Sequence, residues 1–127
     1  MKKHILVIAT VGLIAATVGE AAAANIWKNY GSGNSNGVIQ IGPNYSKTVQ
    51  KGDDNKNYGV QAGAYNKAVT RQNGDGNTNV FVQVGKGNEA KTQQSGGGNT
   101  AVTIQVGKDN TSSISQSNGL RTTSNPD

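Results

Sequence analysis

The sequence contains no cysteine and a single histidine, His4, near its amino terminus. Without cysteine the chain can form no disulfide and has no thiol nucleophile. Apart from His4 it also lacks the commonest general base and, with the thiols missing, the usual ligands of a zinc site. We therefore expect no metal, no cofactor and no enzymatic activity.

Large apolar side chains are also scarce. Hydrophobic residues make up 33% of the chain and aromatic residues 5%, against 18 glycines among 127 residues. An ordinary hydrophobic core is not expected from these proportions. The composition leaves either a disordered polar chain or a single domain whose interior is not built from apolar side chains.

Residues 1–24 have the organisation of a cleaved secretory signal peptide. An apolar run over 5–18 follows two lysines at the start, and three alanines over 22–24 provide a cleavage site before Asn25. An uncleaved membrane anchor is the weaker alternative, because the apolar run is short for a membrane span. Cleavage leaves 103 residues (127 − 24) with ten basic (12 − 2) and six acidic (7 − 1) side chains, a formal charge of +4.

Four near-copies of one segment follow, and each carries the same residue types at the same places. A copy has an Asn, a Gln six residues later, then a Gly, a second Asn and a second Gln. The step between copies is 22 residues, except for a first step of 21 in the first two columns. A fixed period of this size is typical of a solenoid or an array. The four marker columns are Asn34, Asn55, Asn77, Asn99; Gln40, Gln61, Gln83, Gln105; Asn44, Asn66, Asn88, Asn110; and Gln50, Gln72, Gln94, Gln116.

The repeats divide the mature chain into three parts. A leader over 25–33 holds the only Trp and is otherwise rich in Gly and Asn. We expect this leader to be flexible, with a recognition tag for an export machine as the alternative. The repeats occupy 34–119, as 34–54, 55–76, 77–98 and 99–119, and a C-terminal tail covers 120–127.

Each copy is predicted to form two short strands joined by tight arcs. In the third copy, residues 77–84 and 88–94 alternate and are β-prone, and Gly-rich segments over 85–87 and 95–98 separate them. No segment of the mature chain has the 3.6-residue period of a helix. Two strands per copy could form a hairpin or one turn of a coil, but only a coil stacks like residues into amide ladders. We predict an all-β, amyloid-like β-solenoid of four strand–arc–strand rungs, each of about 22 residues, stacked in register.

The alternation also predicts which side chains face inward. In the second strand of each copy, the parity of the Asn and Gln markers carries small uncharged residues, and the opposite parity carries most of the charges. In the first strand, hydrophobicity alone would turn the Val and Ile parity inward. We prefer the amides inside on both strands, because a wall of Val and Ile would leave buried amides without partners. This choice predicts an outer apolar strip, available for interaction, made of Ile39, Ile41, Tyr58, Val60, Val80, Val82, Val84, Val102, Ile104 and Val106.

The pattern Asn-x5-Gln-x-Gly-x-x-Asn-x5-Gln, after a signal peptide and a short leader, resembles the curlin family. Members of that family build curli, the extracellular functional-amyloid fibres of bacterial biofilms. The resemblance covers about residues 34–116 and occupies all sixteen marker positions. It implies rungs with Asn and Gln inward, export through a dedicated outer-membrane pore, and polymerisation. By the same resemblance the arc glycines are Gly42, Gly63, Gly85, Gly107, Gly52, Gly74 and Gly96.

The expected function is therefore a secreted structural subunit of a curli-like fibre at the bacterial cell surface, serving biofilm matrix and adhesion. The expected partners are further copies of the chain, a second curlin-like subunit, the secretion pore and anionic matrix polymers, with no specific nucleic acid and no membrane association after cleavage. Asn in the first column, where major subunits tend to have Ser, and the small number of repeats leave two alternatives open. These are a minor nucleator or anchor that templates another subunit, and a monomeric solenoid adhesin.

Overall fold

The computed structural model describes residues 24–117 and 120–126, and it contains ten β-strands. The predicted signal peptide therefore lies outside the described residues, apart from Ala24, as do residues 118–119 of the fourth repeat and the last residue of the tail. The strands are β1 (Ala24–Tyr30), β2 (Ser35–Ile41), β3 (Tyr45–Lys51), β4 (Lys56–Ala64), β5 (Lys67–Asn73), β6 (Thr78–Lys86), β7 (Glu89–Ser95), β8 (Thr100–Lys108), β9 (Thr111–Gln116) and β10 (Leu120–Pro126).

The strands form two parallel sheets of five strands each. One sheet, here called sheet A, has the order β1-β3-β5-β7-β9, and the other, sheet B, has the order β10-β8-β6-β4-β2. Consecutive strands of the repeats therefore lie in opposite sheets, and each strand pairs with the strand two places along the chain. Paired residues are 22 positions apart in most of the solenoid, as in the column of Gln61, Gln83 and Gln105. The step is 21 for the first pair of each sheet and 20 between β8 and β10. The β-solenoid is confirmed, and the hairpin is excluded because no consecutive strands of the described chain pair.

The interior between the sheets is mostly polar. Among the described residues, twenty-two polar side chains are buried and only six hydrophobic ones, so hydrogen bonds rather than apolar packing must fill this space. The inner positions follow the period of two expected of strands, as in the alternating burial of β5 and β7. The amide markers of the middle rungs are wholly buried: Gln61, Gln83, Asn77 and Asn88 have no exposed surface.

One aromatic side chain interrupts this polar interior. Phe81 on β6 is 2% exposed, and its ring occupies the space next to Gly59, its partner position on β4. A Cβ at Gly59 would overlap the ring of Phe81. Gly59 therefore leaves space on one rung, and the ring of Phe81 on the next rung fills it, as close packing requires.

The arcs are set by glycines with positive φ. All seven predicted arc glycines have φ between 90° and 122°. At Gly85, φ is 122° and a Cβ would overlap the carbonyl oxygen of Gly107 in the next rung. Only glycine permits both this conformation and this close approach of stacked backbones.

The leader differs from its expected form. Residues 25–33 are predicted to be flexible, but they contain most of β1, which pairs along its whole length with β3. Asn25, Trp27 and Asn29 take the inward register positions of Ser46, Thr48 and Gln50. The leader thus forms half a rung. The sequence does not reveal this strand because the leader contains only one strand of the two-strand repeat.

The predicted tail forms the matching half at the other end. Strand β10 pairs in parallel with β8, and Asn125 lies opposite Gln105. The chain therefore begins with a strand of sheet A and ends with a strand of sheet B. Within the described residues, the last strands of the solenoid are β1 and β2 at one end, and β9 and β10 at the other.

Candidate functional site

The Asn markers form ladders that tie each arc to the next. The backbone N–H and the Nδ2 of Asn77 both donate to Oδ1 of Asn55, at 3.1 and 3.0 Å. The same Nδ2 donates to the carbonyl oxygen of Gly96 in the following arc, at 2.9 Å. Because backbone groups occupy both ends of the amide, its orientation is determined, and each Asn satisfies arc groups that would otherwise be buried without partners.

The Gln markers form ladders along the strands. Gln83 accepts from Nε2 of Gln61 at 2.7 Å and donates to Oε1 of Gln105 at 2.7 Å. Its Nε2 also donates to the carbonyl oxygen of Lys67, at 3.0 Å, which ties sheet B to sheet A. The same three bonds, to the rung before, the rung after and the facing sheet, are made by Gln61, Gln72 and Gln94.

The two kinds of ladder run in opposite directions. In the Asn columns the later residue donates to the earlier one, as Asn88 does to Asn66. In the Gln columns the earlier residue donates to the later one, as Gln72 does to Gln94. The two ends of the solenoid therefore differ chemically, and the stack has a polarity.

A third inward ladder was not among the predicted site residues. Nδ2 of Asn57 donates to Oδ1 of Asn36 at 2.6 Å and to Oγ1 of Thr48 at 2.8 Å. Nδ2 of Asn79 repeats this with Asn57 at 2.7 Å and Thr70 at 2.9 Å. These bonds join neighbouring rungs and the two sheets at the centre of the interior.

The signal for this ladder is present in the sequence but incomplete. An Asn stands two residues after the first marker in three copies, and Ala101 takes its place in the fourth. Where the column ends, polar atoms lose their partners: Oδ1 of Asn79, next to Ala101, and Nδ2 of Asn36, in the first rung of sheet B, are buried without a hydrogen bond. The ladder is therefore confined to three rungs.

Other buried atoms without partners lie mainly near the ends of the columns. They are Oδ1 of Asn25, Asn29 and Asn99, Oε1 of Gln50, Oγ of Ser46 and Oγ1 of Thr103. An unsatisfied buried polar group costs on the order of 1–3 kcal/mol. The interior of the solenoid is therefore well bonded in the middle and less well bonded where the stack stops.

The predicted apolar strip lies on the outer face of sheet B. Ile39 and Ile41 are the most exposed, at 62% and 63%. Tyr58, Val60, Val84, Ile104 and Val106 are also exposed, and Val80, Val82 and Val102 are half-buried by their neighbours. The strip extends over four strands with one register, so it forms a continuous apolar surface of the kind that usually marks an interaction site.

The outer face of sheet A carries most of the charge. Its cations are Lys28, Lys47, Lys51, Lys67, Arg71 and Lys91. Lys67 pairs with Glu89 at 3.2 Å, and both side chains are about half exposed, so the pair adds little stability. The last strand of this face, β9, carries only Thr and Ser outward. The positive charge is therefore concentrated away from the β9 end.

The arcs hold the carboxylates in a structural role. Asp75 Oδ1 accepts from the backbone N–H of Asp53 at 2.9 Å, and Asp53 Oδ1 accepts from that of Ser32 at the same distance. In the part of the chain described, no group of three or more His, Cys, Asp or Glu side chains is placed to hold a metal ion. No helix there is long and apolar enough to cross a membrane.

Comparison with known families identifies the repeat. A model of the curlin associated repeat matches residues 85–117, from the end of β6 through β9. The chain carries a curlin repeat. The predicted resemblance to the curlin family is thereby confirmed, and the matched curlin repeat contains members of all four marker columns. No curated protein matches the chain.

Proposed function

We propose that this chain is a structural subunit of an extracellular curli-like amyloid fibre, which grows by end-to-end stacking of solenoids. The observation that supports this most directly is the pair of parallel sheets whose end strands have no described strand on their outer edges. Parallel strands with unpaired edges are templates for the addition of further strands. The curlin repeat agrees with a structural role.

Stacking would repeat the interactions already present inside one copy. Each added rung brings a row of backbone hydrogen bonds in both sheets and one more step in the amide ladders. Those steps are short inside the chain, at 2.7 Å between Gln40 and Gln61 and 3.0 Å between Asn44 and Asn66. Because these bonds lie in a water-excluded interior, a fibre built from them is expected to be resistant to dissociation.

The partners and export route proposed for this fibre rest on the curlin repeat and on the two outer faces of the solenoid. Export would use the predicted signal peptide and an outer-membrane pore, and a second curlin-like subunit would start growth. The apolar strip on sheet B would pair fibres laterally. The cationic face of sheet A would hold anionic matrix polymers, since exposed cations such as Lys91 and Arg71 repeat along it. Together these surfaces would serve biofilm cohesion and adhesion.

The test is assembly of the purified chain from Asn25 to Asp127. We expect fibres whose X-ray diffraction has a reflection near 4.7 Å along the fibre axis, the spacing of stacked strands. Fragments of these fibres should remove the lag phase when added to fresh protein. A chain that stays soluble and monomeric for days, with or without fragments, contradicts the proposal.

One observation favours a monomeric solenoid adhesin as the second candidate. Terminal repeats of solenoids are commonly modified into caps, and both end strands here depart from the columns: Asn29 and Asn125 stand where the other rungs have Gln. Pro126 also removes a backbone donor from β10. Size measurement separates the candidates, because a folded monomer with a β-sheet circular dichroism signal supports the adhesin.

A further inference from the structure

We propose that each copy of this chain binds a negatively charged sugar unit of an acidic polysaccharide, in a cleft beside the arc between β4 and β5, with the ring of Tyr65 as its platform. The biological setting of this site rests on the proposed function, in which anionic matrix polymers contact the fibre. The cleft itself belongs to a single copy and needs no neighbour. It lies on the arcs, beside the charged outer face of sheet A.

The cleft is formed where the period of the repeats is broken. The arc over residues 42–44 has three residues, whereas the equivalent arc over 63–66 in the next rung has four. Tyr65 belongs to the longer arc, and its backbone N–H donates to the carbonyl oxygen of Pro43 at 2.7 Å. The longer arc therefore projects beyond the shorter one, and the tyrosine has no counterpart in the rung before it.

The backbone of Tyr65 is strained. Its φ is 58°, in the left-handed region, where a bulky side chain is an outlier. The equivalent residues of the next two arcs are Gly87 and Asp109, with φ of 71° and 56°, and Gly and Asp adopt this conformation far more readily. Tyr65 is also 65% exposed, so burial of its ring does not offset the strain. The arc does not need a tyrosine to fold, and strain retained at an exposed ring indicates a role in binding.

The cleft has the size and the walls of a small-ligand site. Its volume is about 340 Å³, and its walls include Pro43, Tyr45, Tyr65 and Lys67. A space of this size accommodates a sugar ring. The two tyrosines and the proline provide apolar surface on which the C–H groups of a pyranose can pack, and the phenol groups can hydrogen-bond to its hydroxyls. This combination fits a carbohydrate better than a purely apolar ligand.

The cations at the cleft predict that the sugar is acidic. Nζ of Lys86, on the arc of the following rung, lies 5.9 Å from the centre of the Tyr65 ring. Lys67 lines the cleft and pairs with Glu89 at 3.2 Å, and both of these side chains are about half exposed. A carboxylate on a sugar packed against Tyr65 would therefore lie within reach of an ammonium group. Charge complementarity favours a uronic acid over a neutral sugar.

Cleavage of the predicted signal peptide would add to this positive charge. Ala24 is one of the residues that line the cleft, and it is also the last residue of the predicted signal peptide. Its backbone N–H donates to the carbonyl oxygen of Asn44 at 2.9 Å, and cleavage after Ala24 would remove this contact. The α-ammonium group of Asn25 would then stand beside the cleft. The mature chain is therefore expected to bind an anion more tightly than the precursor.

The direct test is binding of tetragalacturonate, a short chain of acidic sugars, by the chain from Asn25 to Asp127. The fully methyl-esterified form is the matched ligand, because it has the same sugar rings without the charge. A fluorescently labelled probe is used, by co-sedimentation with fibres or by fluorescence anisotropy with a folded monomer. We expect the acidic form to bind about fivefold more tightly at low salt, and added salt to weaken it. Equal binding of the two forms, or no binding of either, overturns the proposal.

Tyr65→Asn separates a binding role from a structural one. Asn tolerates the left-handed backbone, so the denaturation midpoint should equal or exceed that of the parent. Affinity for tetragalacturonate should fall about fivefold, since the aromatic contact is lost. Tyr58→Asn is the control, because Tyr58 is exposed on sheet B, away from the cleft, and its loss should leave the affinity unchanged. Equal affinities of the two variants, or a lower denaturation midpoint for Tyr65→Asn than for the parent, overturn the assigned site.

A second pair of variants tests the charge. Lys86→Gln should weaken binding about threefold, whereas Lys108→Gln, at the paired position one strand further from Tyr65, should have a smaller effect. If both substitutions weaken binding equally, the probe recognises the charge of the arcs in general and the assigned cleft is overturned. Fibres that do not bind the probe overturn the cleft alone. A folded monomer that binds the acidic probe supports the cleft and contradicts the proposed function.

Discussion

Asn29 lies directly opposite Gln50 in the register of β1 and β3, yet Oδ1 of Asn29 and Oε1 of Gln50 are both buried without a hydrogen-bond partner. The next step of the same column, from Gln50 to Gln72, has a bond of 2.9 Å. The difference is one methylene group, because the Asn side chain is shorter than Gln. The Gln ladder of sheet A therefore stops one rung before the sheet does.

Replacing Asn29 by Gln should extend this ladder. We expect Asn29→Gln to stabilise the fold by about 1 kcal/mol, the contribution of one hydrogen bond gained at a buried acceptor. The measurement is the guanidinium concentration that removes half of the β-sheet circular dichroism signal. Asn73→Gln is the matched control, since Asn73 is exposed on β5 and the same change there should have no effect. Equal midpoints for both variants would contradict this account of the ladder end.

An acidic substitution inside a ladder should make stability depend on pH. Nε2 of Gln94 donates to the carbonyl oxygen of Thr78 at 2.9 Å and to Oε1 of Gln116 at 3.3 Å. In Gln94→Glu a carboxylate would face two acceptors in a buried site, so the protonated form is favoured and the folded-state pKa rises above the ordinary value of about 4.3. The variant is therefore most stable below about pH 4.3 and loses stability as pH rises toward the folded-state pKa.

At pH 7 we expect Gln94→Glu to cost at least about 3 kcal/mol, the scale of an uncompensated buried charge. Gln93→Glu is the control on the adjacent, exposed position, and it should change stability by less than about 0.5 kcal/mol. Denaturation midpoints of both variants are compared at pH 3 and pH 7. If the denaturation midpoint of Gln94→Glu is no lower at pH 7 than at pH 3, the site is not buried.

The packing of Phe81 against Gly59 should be visible as coupling between the two positions. Phe81→Ala should cost about 3–5 kcal/mol, because it empties a filled volume. Gly59→Ala should also destabilise, since its Cβ would overlap the ring of Phe81. The double variant should cost less than the sum of the two, by about 1 kcal/mol or more. Additive costs in a double-mutant cycle would contradict the shared volume.

The arc glycines should not tolerate a side chain, whereas Gly37, on the outer face of β2, should. Gly85→Ala should cost about 2 kcal/mol or more, because φ is 122° and the new Cβ meets a carbonyl oxygen. Gly37→Ala on β2 is the control. The Cβ there would only reach ordinary contact with the ring of Tyr58, 3.4 Å away, so its effect should be neutral or favourable. The measurement is the denaturation midpoint of each variant. Comparable losses of stability in Gly85→Ala and Gly37→Ala would contradict the special requirement for glycine in the arc.

The apolar strip should control association between fibres rather than their growth. Val82→Lys introduces a charge at the centre of the outer face of sheet B, while Gln93→Lys introduces the same charge on sheet A. We expect Val82→Lys to produce thinner, unbundled fibres in electron micrographs, with seeded elongation rates within about twofold of the parent. If Val82→Lys fibres bundle as the parent fibres do, the strip is not the lateral contact.

The sequence by itself determined the solenoid and its rungs. Amides such as Gln61 and Gln83 recur at a fixed spacing that only the stacking of like residues explains. The repeat is easy to recognise because both strands of a rung carry a marker. The glycine at position 85 is equally readable, because an arc needs a residue without Cβ. The alternation of charge with small residues in the second strand indicated which side of that strand meets water.

Only the tertiary structure decided the parts that have no complete copy. In the sequence, Asn25 and Asn29 belong to a polar leader, because a single strand does not contain the two-strand repeat pattern. Their place in a rung is evident only from the pairing of β1 with β3. The orientation of Val80 and Val82 also needed the opposite sheet, since hydrophobicity alone favours the interior. Hydrogen bonds from buried amides such as Asn79 to the Thr side chains of the facing sheet explain why polar groups occupy that space instead.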